Sequence, residues 1–260
     1  AVYLNFHAEN PFTNAKKSVK KIIYRSLICL SNDPNEIYGP AGYGEDKMIS
    51  PSDRIDYKIL FENDPELATA AAARVKITCP LHKNAKSTTA YLGQYGFGDY
   101  IFDVPPVSTH YYKRHDLADS LGVWVDVNAG IDVENNEMYW IFQSIDPKTG
   151  VAPIDTIGFL PVNDTLTGCG EGFVTFSVMS KDGILTGDSI SEQANIIFDD
   201  NDNILTNTYT NMFDAVAPIS STVCDASTVA YDRRLIFKSV AEDDANGSGV
   251  RQVDIYVNVD

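Results

Sequence analysis

Short runs in which apolar and polar residues alternate recur along this chain. A period of two is the signature of a half-buried strand, whose successive side chains point to opposite faces. Ile55-Asp-Tyr-Lys-Ile-Leu-Phe61 places Ile55, Tyr57, Ile59 and Phe61 on one face, and Arg74-Val-Lys-Ile-Thr-Cys79 keeps the same period. Val123, Val125 and Val127 alternate with Trp124 and Asp126. Ile131-Asp-Val133 and Met138-Tyr-Trp-Ile-Phe142 flank the polar turn Glu134-Asn-Asn-Glu137, which predicts a hairpin. Phe173-Val-Thr-Phe-Ser-Val178 and the run from Ile190 to Phe198 follow the same logic. Helical periodicity is scarce, and Gly, Pro, Asn and Asp fill the gaps. The sum predicts a twisted antiparallel β-sandwich with Met138, Trp140 and Phe142 in its core.

A chain of 260 residues, 44% of them hydrophobic, has material for one large domain or two smaller ones. Its formal charge of −16 repels phosphate backbones and anionic lipid surfaces, which argues against nucleic acid and membrane as partners and leaves cations open. No stretch approaches the roughly 20 apolar residues of a membrane span. The chain opens on Ala1 with no recognisable signal peptide and stops at Asp260 within a strand pattern, as a fragment of something longer would. Three segments follow from the composition. Residues 1–31 are basic and partly helical, with an amphipathic helix expected from about Asn14 to Leu27; residues 32–216 form the sandwich. After the linker Ala215-Val-Ala-Pro218, residues 217–260 carry about three strands, too few to complete a sandwich, so they form a partial second β domain.

Asp199-Asp-Asn-Asp-Asn203, directly after the strand ending at Phe198, sets five oxygen-bearing side chains in succession. Calcium takes six to eight oxygen ligands and tolerates irregular loops, so Asp199, Asp200, Asn201 and Asp202 are candidate metal ligands. The spacing is not that of an EF-hand, since Ile204 stands where the sharp turn needs Gly. Trp124, on the face opposite Val123 and Val125, is a candidate sugar platform. His110 and His115 fall on opposite faces of any strand and read as parts of a solvated loop, and the glycines from Gly93 to Gly98 read as a turn. Cys29, Cys79, Cys169 and Cys224 form no C-x-x-C pair, which argues against zinc, and any disulfide pairing among them is open. No G-x-S-x-G or H-E-x-x-H motif is present, and no catalytic residue is expected.

Longer motifs run in order through the chain: Asn32-Asp-Pro-Asn-Glu36, Gly39-Pro40, Gly42-Tyr-Gly-Glu45, Phe61-Glu-Asn-Asp-Pro-Glu-Leu-Ala-Thr69, Gly96-Phe-Gly-Asp99, Ser144-Ile-Asp-Pro-Lys-Thr-Gly150, Gly158-Phe-Leu-Pro-Val-Asn163 and Gly170-Glu-Gly-Phe-Val-Thr175. With the segment from Ala194 to Thr206, they resemble immunoglobulin-like repeat domains of large secreted or surface-displayed multidomain proteins, mostly bacterial, over roughly residues 32 to 216. Asp243-Asp244 and Gly247-Ser-Gly-Val250 resemble the start of a second immunoglobulin-like or fibronectin-like repeat. The resemblance implies an all-β immunoglobulin-like sandwich acting as a stalk, spacer or adhesive unit, extracellular or on a cell surface, with neighbouring domains or copies of itself as partners. Phe198, Asp199, Asn201, Ile204 and Thr206 match the family's strand end, whereas Asp200, Asp202 and Asn203 are this chain's additions. The expected function is therefore structural or adhesive, with calcium stiffening the joints between domains in a filament. The alternative is a carbohydrate-binding module of a secreted enzyme that takes surface glycans.

Overall fold

The computed structural model describes residues 35–154, 157–224, 237–250 and 252–254. The expected helix between Asn14 and Leu27 and the strand expected over residues 253–257 fall wholly or mostly outside them. Fifteen strands occur among the described residues, with a single four-residue helical turn, α1 (Ala118–Leu121), which ends on Gly122 in the left-handed region at φ 76°. The strands are β1 (Ile37–Tyr38), β2 (Ile55–Glu62), β3 (Arg74–Pro80), β4 (Ala85–Phe97), β5 (Tyr100–Phe102), β6 (His110–Leu117), β7 (Val123–Asp132), β8 (Glu137–Ile145), β9 (Glu171–Ser180), β10 (Ser189–Glu192), β11 (Asn195–Phe198), β12 (Ile204–Leu205), β13 (Tyr209–Met212), β14 (Ile219–Cys224) and β15 (Phe237–Glu242).

Two antiparallel sheets face each other. The first has the order β1-β2-β9-β4-β5 and the second β12-β11-β3-β8-β7-β6. In the first, β1-β2-β9-β4 occupies the A-B-E-D positions of an immunoglobulin-type sandwich; in the second, β3, β11 and β12 occupy C, F and G. The chain departs from the simple pattern by inserting β6, β7 and β8 between the D and E positions, which extends the second sheet beyond C. Strand order alone therefore assigns an all-β, antiparallel, immunoglobulin-like sandwich with an enlarged second sheet.

The period-two faces become the two inner surfaces. Ile55, Tyr57, Ile59 and Phe61 of β2, with Val174, Phe176 and Val178 of β9, bury against Val75 and Ile77 of β3, Val123, Val125 and Val127 of β7, and Met138, Trp140 and Phe142 of β8. Phe142 is the hinge of the packing, with ring centroids 5.7 Å from Phe61, 5.8 Å from Tyr95 and 6.0 Å from Phe97 across the sheet interface. Asp132 closes the β7–β8 hairpin by accepting hydrogen bonds from the Glu134 and Asn135 amides, which hold its carboxyl below the usual range.

Three expectations are corrected. The glycine-rich run is not a turn: Gly93 and Gly96 lie inside β4, and only Gly98, at φ 51°, turns the chain into β5. Gly96 is needed for a different reason, because a Cβ there would sit 2.6 Å from the Tyr100 carbonyl and 2.7 Å from the Phe173 ring. The segment from His110 to His115 is not a loop either; it is edge strand β6, on which the two histidines do take opposite faces. The run from Ile190 to Phe198 also breaks at Gln193-Ala194, so that β10 pairs with β13 while β11 pairs with β3 and β12. The Thr206 hydroxyl accepts the Ala194 amide at 2.9 Å and secures that break.

Candidate functional site

The residues that carry the family resemblance gather into loop clasps. Asn63 donates from its amide to the Ala70 and Leu160 carbonyls at 3.0 and 3.1 Å, and Asn163 donates to Glu62 at 2.8 Å while accepting the Gly170 amide at 2.9 Å. Asn63 and Asn163 are buried, so each bond replaces water lost on folding. Three motif segments distant in sequence are thereby tied at one end of the sandwich.

Asp199 has the same structural character. Its Oδ1 accepts the amides of Ala73 at 2.9 Å and Arg74 at 2.7 Å, and its backbone sits at φ 51°, in the region where a short polar side chain is tolerated. Asp200, Asn201 and Asp202 are exposed beside it. Carboxylates converge elsewhere. Asp214, just past β13, and Asp243 and Asp244, just past β15, bring one oxygen each within 4.8 Å of one another. Asp214 Oδ2 accepts the Ser248 amide at 2.9 Å and its hydroxyl at 2.6 Å, which depresses the Asp214 pKa. Asp243 accepts the Gly249 amide at 2.6 Å, while Asp244 Oδ1 is shielded from solvent without a protein partner.

Trp124 does lie on the outer face, at the register position opposite Asp116, but it is only partly open. The Arg114 guanidinium stands 5.3 Å over its ring and is fixed there by two bonds of 2.6 and 2.7 Å to Asp126. That pairing pulls the Asp126 carboxyl below its ordinary range. A separate hollow of about 300 Å³ opens on the outer face of the first sheet, bordered by Tyr38, Asp56, Lys58, Gly93 and Thr175.

One buried titratable cluster escapes sequence reasoning. Glu192 of β10 is fully buried and its carboxyl is pushed up to about 8 by desolvation, which the His82 amide, bound at 3.1 and 3.3 Å, opposes only in part. Cys79 Sγ lies 4.0 Å from Glu192 Oε2, and the Tyr57 hydroxyl is buried nearby without a hydrogen-bond partner. A thiol beside a carboxylate suggests a nucleophile and its base, yet burial drives the Cys79 thiol well above its ordinary pKa, so it stays protonated and unreactive. The only hint in sequence is the polar residue at a core-facing position of an otherwise alternating strand. Cys79 and Cys169 are free thiols, whereas Cys29 lies outside the described residues.

Residues 123–212, from β7 through β13, match a family described as a Domain of unknown function (DUF7619). No curated protein matches the chain. Similar solved structures include the C-terminal domain of the Streptococcus agalactiae AgI/II polypeptide BspA, with 12% identity and a TM-score of 0.38 over 74% of this chain and 49% of that one. Domains D2 and D3 of the major pilin SpaD from Corynebacterium diphtheriae give 13% identity and a TM-score of 0.39 over 73% of this chain and 54% of that one. The collagen-binding domain of a Staphylococcus aureus adhesin gives 8% identity and a TM-score of 0.34 over 71% and 99%. The chain thus spans about half the length of the BspA and SpaD structures. Scores this low leave the fold assignment to the strand order itself, and the family match covers β7 to β13 rather than the whole sandwich.

Proposed function

We propose that this chain is a structural or adhesive module of a larger extracellular or surface-attached protein, built to transmit load between domains in series. The observation that carries this reading is the staple between Asp214 and Ser248. β13, the last strand before the linker, ends at Met212, and two residues later a carboxylate grips the loop that follows the next hairpin, β14–β15. Units joined end to end in this way bear tension through their strand ladders, and the staple limits bending at the linker. The high negative charge keeps such modules soluble and apart except where specific contacts form. Stretching a polyprotein of this chain tests the reading: cooperative unfolding of each unit at high force supports it, and gradual low-force extension overturns it.

Calcium stiffening belongs to the same proposal. The sequence suggested Asp199 to Asp202, but the convergence of Asp214, Asp243 and Asp244 at the joint is what now favours a cation there, because close carboxylates repel until one is bound. Millimolar calcium should raise the melting temperature by several degrees over chelator, and superimposable melts would dismiss it. The glycan-binding alternative draws support from the hollow beside Tyr38 rather than from Trp124. Titration with a panel of surface polysaccharides, read against Tyr38→Ala, distinguishes it from the load-bearing reading.

A further inference from the structure

The edges of the sandwich are unequal. β1 and β12 are two residues long and β5 is three, so three of the four edges are too short to recruit another strand. β6 runs for eight residues, pairs with β7 at every position without a bulge, and contains no proline. Its free side can be read from the ladder. The Ile131 amide donates to the Thr109 carbonyl, so odd-numbered residues from 111 to 117 direct their backbone groups to β7. The amides and carbonyls of His110, Tyr112, Arg114 and Asp116 therefore point away from the sheet, and no other described strand receives them.

We propose that β6 is the self-association edge of this protein, pairing antiparallel with β6 of a second copy to join two second sheets into one. Charge favours a copy as the occupant. The chain carries −16, so two copies repel where their acidic surfaces meet; on β6 Lys113 offsets the one acid, Asp116, and the Arg114 charge is met by Asp126 of β7, so a second copy meets little net charge along this edge. Backbone parity permits only even residues opposite even residues. The register that overlaps the strands most fully places Tyr112 opposite Arg114 of the second copy and His110 opposite Asp116 of the second copy, each pair occurring twice about the two-fold axis. Four such pairs exchange about eight backbone hydrogen bonds. Lys113 then faces its own counterpart, the one repulsive pair in the register. A shift of four residues would set Arg114 opposite Asp116 but halve the ladder.

One side chain anchors the strand to the first sheet: His115 Nε2 is 2.7 Å from the Tyr95 hydroxyl and its ring centroid lies 3.8 Å from that of Phe102. Because like-charged bodies approach, association strengthens as salt rises from about 0.01 to about 0.15 M and the screening length falls from about 30 to about 8 Å.

Sedimentation equilibrium of the whole chain tests this, with native mass spectrometry of mixtures. The wild type should form a dimer. Tyr112→Pro removes one outward amide, which the fold does not use, and should weaken dimerisation at least tenfold while leaving the circular dichroism unchanged. Wild type mixed with Lys113→Glu should favour the mixed dimer over both homodimers, since lysine then faces glutamate. This second arm remains decisive should Tyr112→Pro fail to fold. A wild type that stays monomeric to about 1 mM, a Tyr112→Pro dimer of wild-type affinity, or a statistical mixture with Lys113→Glu each overturns the proposal. A monomeric result leaves the serial-module reading intact, because that rests on the Asp214–Ser248 joint and on unfolding force.

Discussion

Glu192 is the residue whose environment has the largest consequence. Its carboxyl titrates near 4.5 when unfolded and about 8 when folded, so the native state holds the proton more tightly. The stability it contributes is fully present below about pH 4.5 and is lost as pH rises through about 8, an effect on the order of 5 kcal/mol. Wild type should thus lose stability between pH 5 and 9, and Glu192→Gln should flatten that loss; parallel pH profiles for the two proteins would refute it. Asp199 offers a contrast with its neighbours. Asp199→Ala strands two amides at 73 and 74 and should cost about 1–3 kcal/mol in urea unfolding, whereas Asp200→Asn and Asp202→Asn should stay within about 0.5 kcal/mol. Equal losses at all three positions would remove the distinction between the structural aspartate and its exposed neighbours.

Among the elements, β4 shows how a local pattern misleads. Glycines at 93, 96 and 98 read as turn residues, yet only Gly98 turns, while Gly96 lets β5 and Phe173 approach the strand. Gly96→Ala should cost about 1–3 kcal/mol by forcing β4 and β5 apart, and a melting temperature within 1 °C of wild type would contradict that close approach. From sequence β6 reads as a loop because its histidines, lysine and arginine hide the alternation. Being an edge, it buries only Tyr111, His115 and Leu117 in part, so its sequence lacks the apolar face that made β2, β3, β7 and β8 legible.

For the molecule as a whole, stability rests on the seam between the two sheets. Phe142, on the second sheet, touches Phe61, Tyr95 and Phe97 of the first sheet and Phe159 of the loop before β9. Phe142→Ala should destabilise by about 3–5 kcal/mol, measured by denaturant midpoint, and a loss under 1 kcal/mol would mean that the seam repacks around the vacancy. The joint is a separate matter. Asp214→Ala should leave the sandwich's melting unchanged but speed proteolysis within residues 215–218, and unchanged cleavage would show that the staple does not restrain the linker.

The sequence by itself determined the class of fold, because period-two faces such as Ile55, Tyr57, Ile59 and Phe61 can be buried only by a second layer facing the first. It also marked the hairpin at residues 134–137 and the linker before β14, where turn chemistry is local. Tertiary structure alone decided the rest. Which strands neighbour one another, that Asp199 caps the start of β3, that Glu192 is entombed and that Asp214 meets Ser248 all depend on residues far apart in the chain. A side chain's burial and partners belong to the packed molecule, and no spacing along the sequence encodes the distance between β10 and His82 or between β13 and the loop after β15.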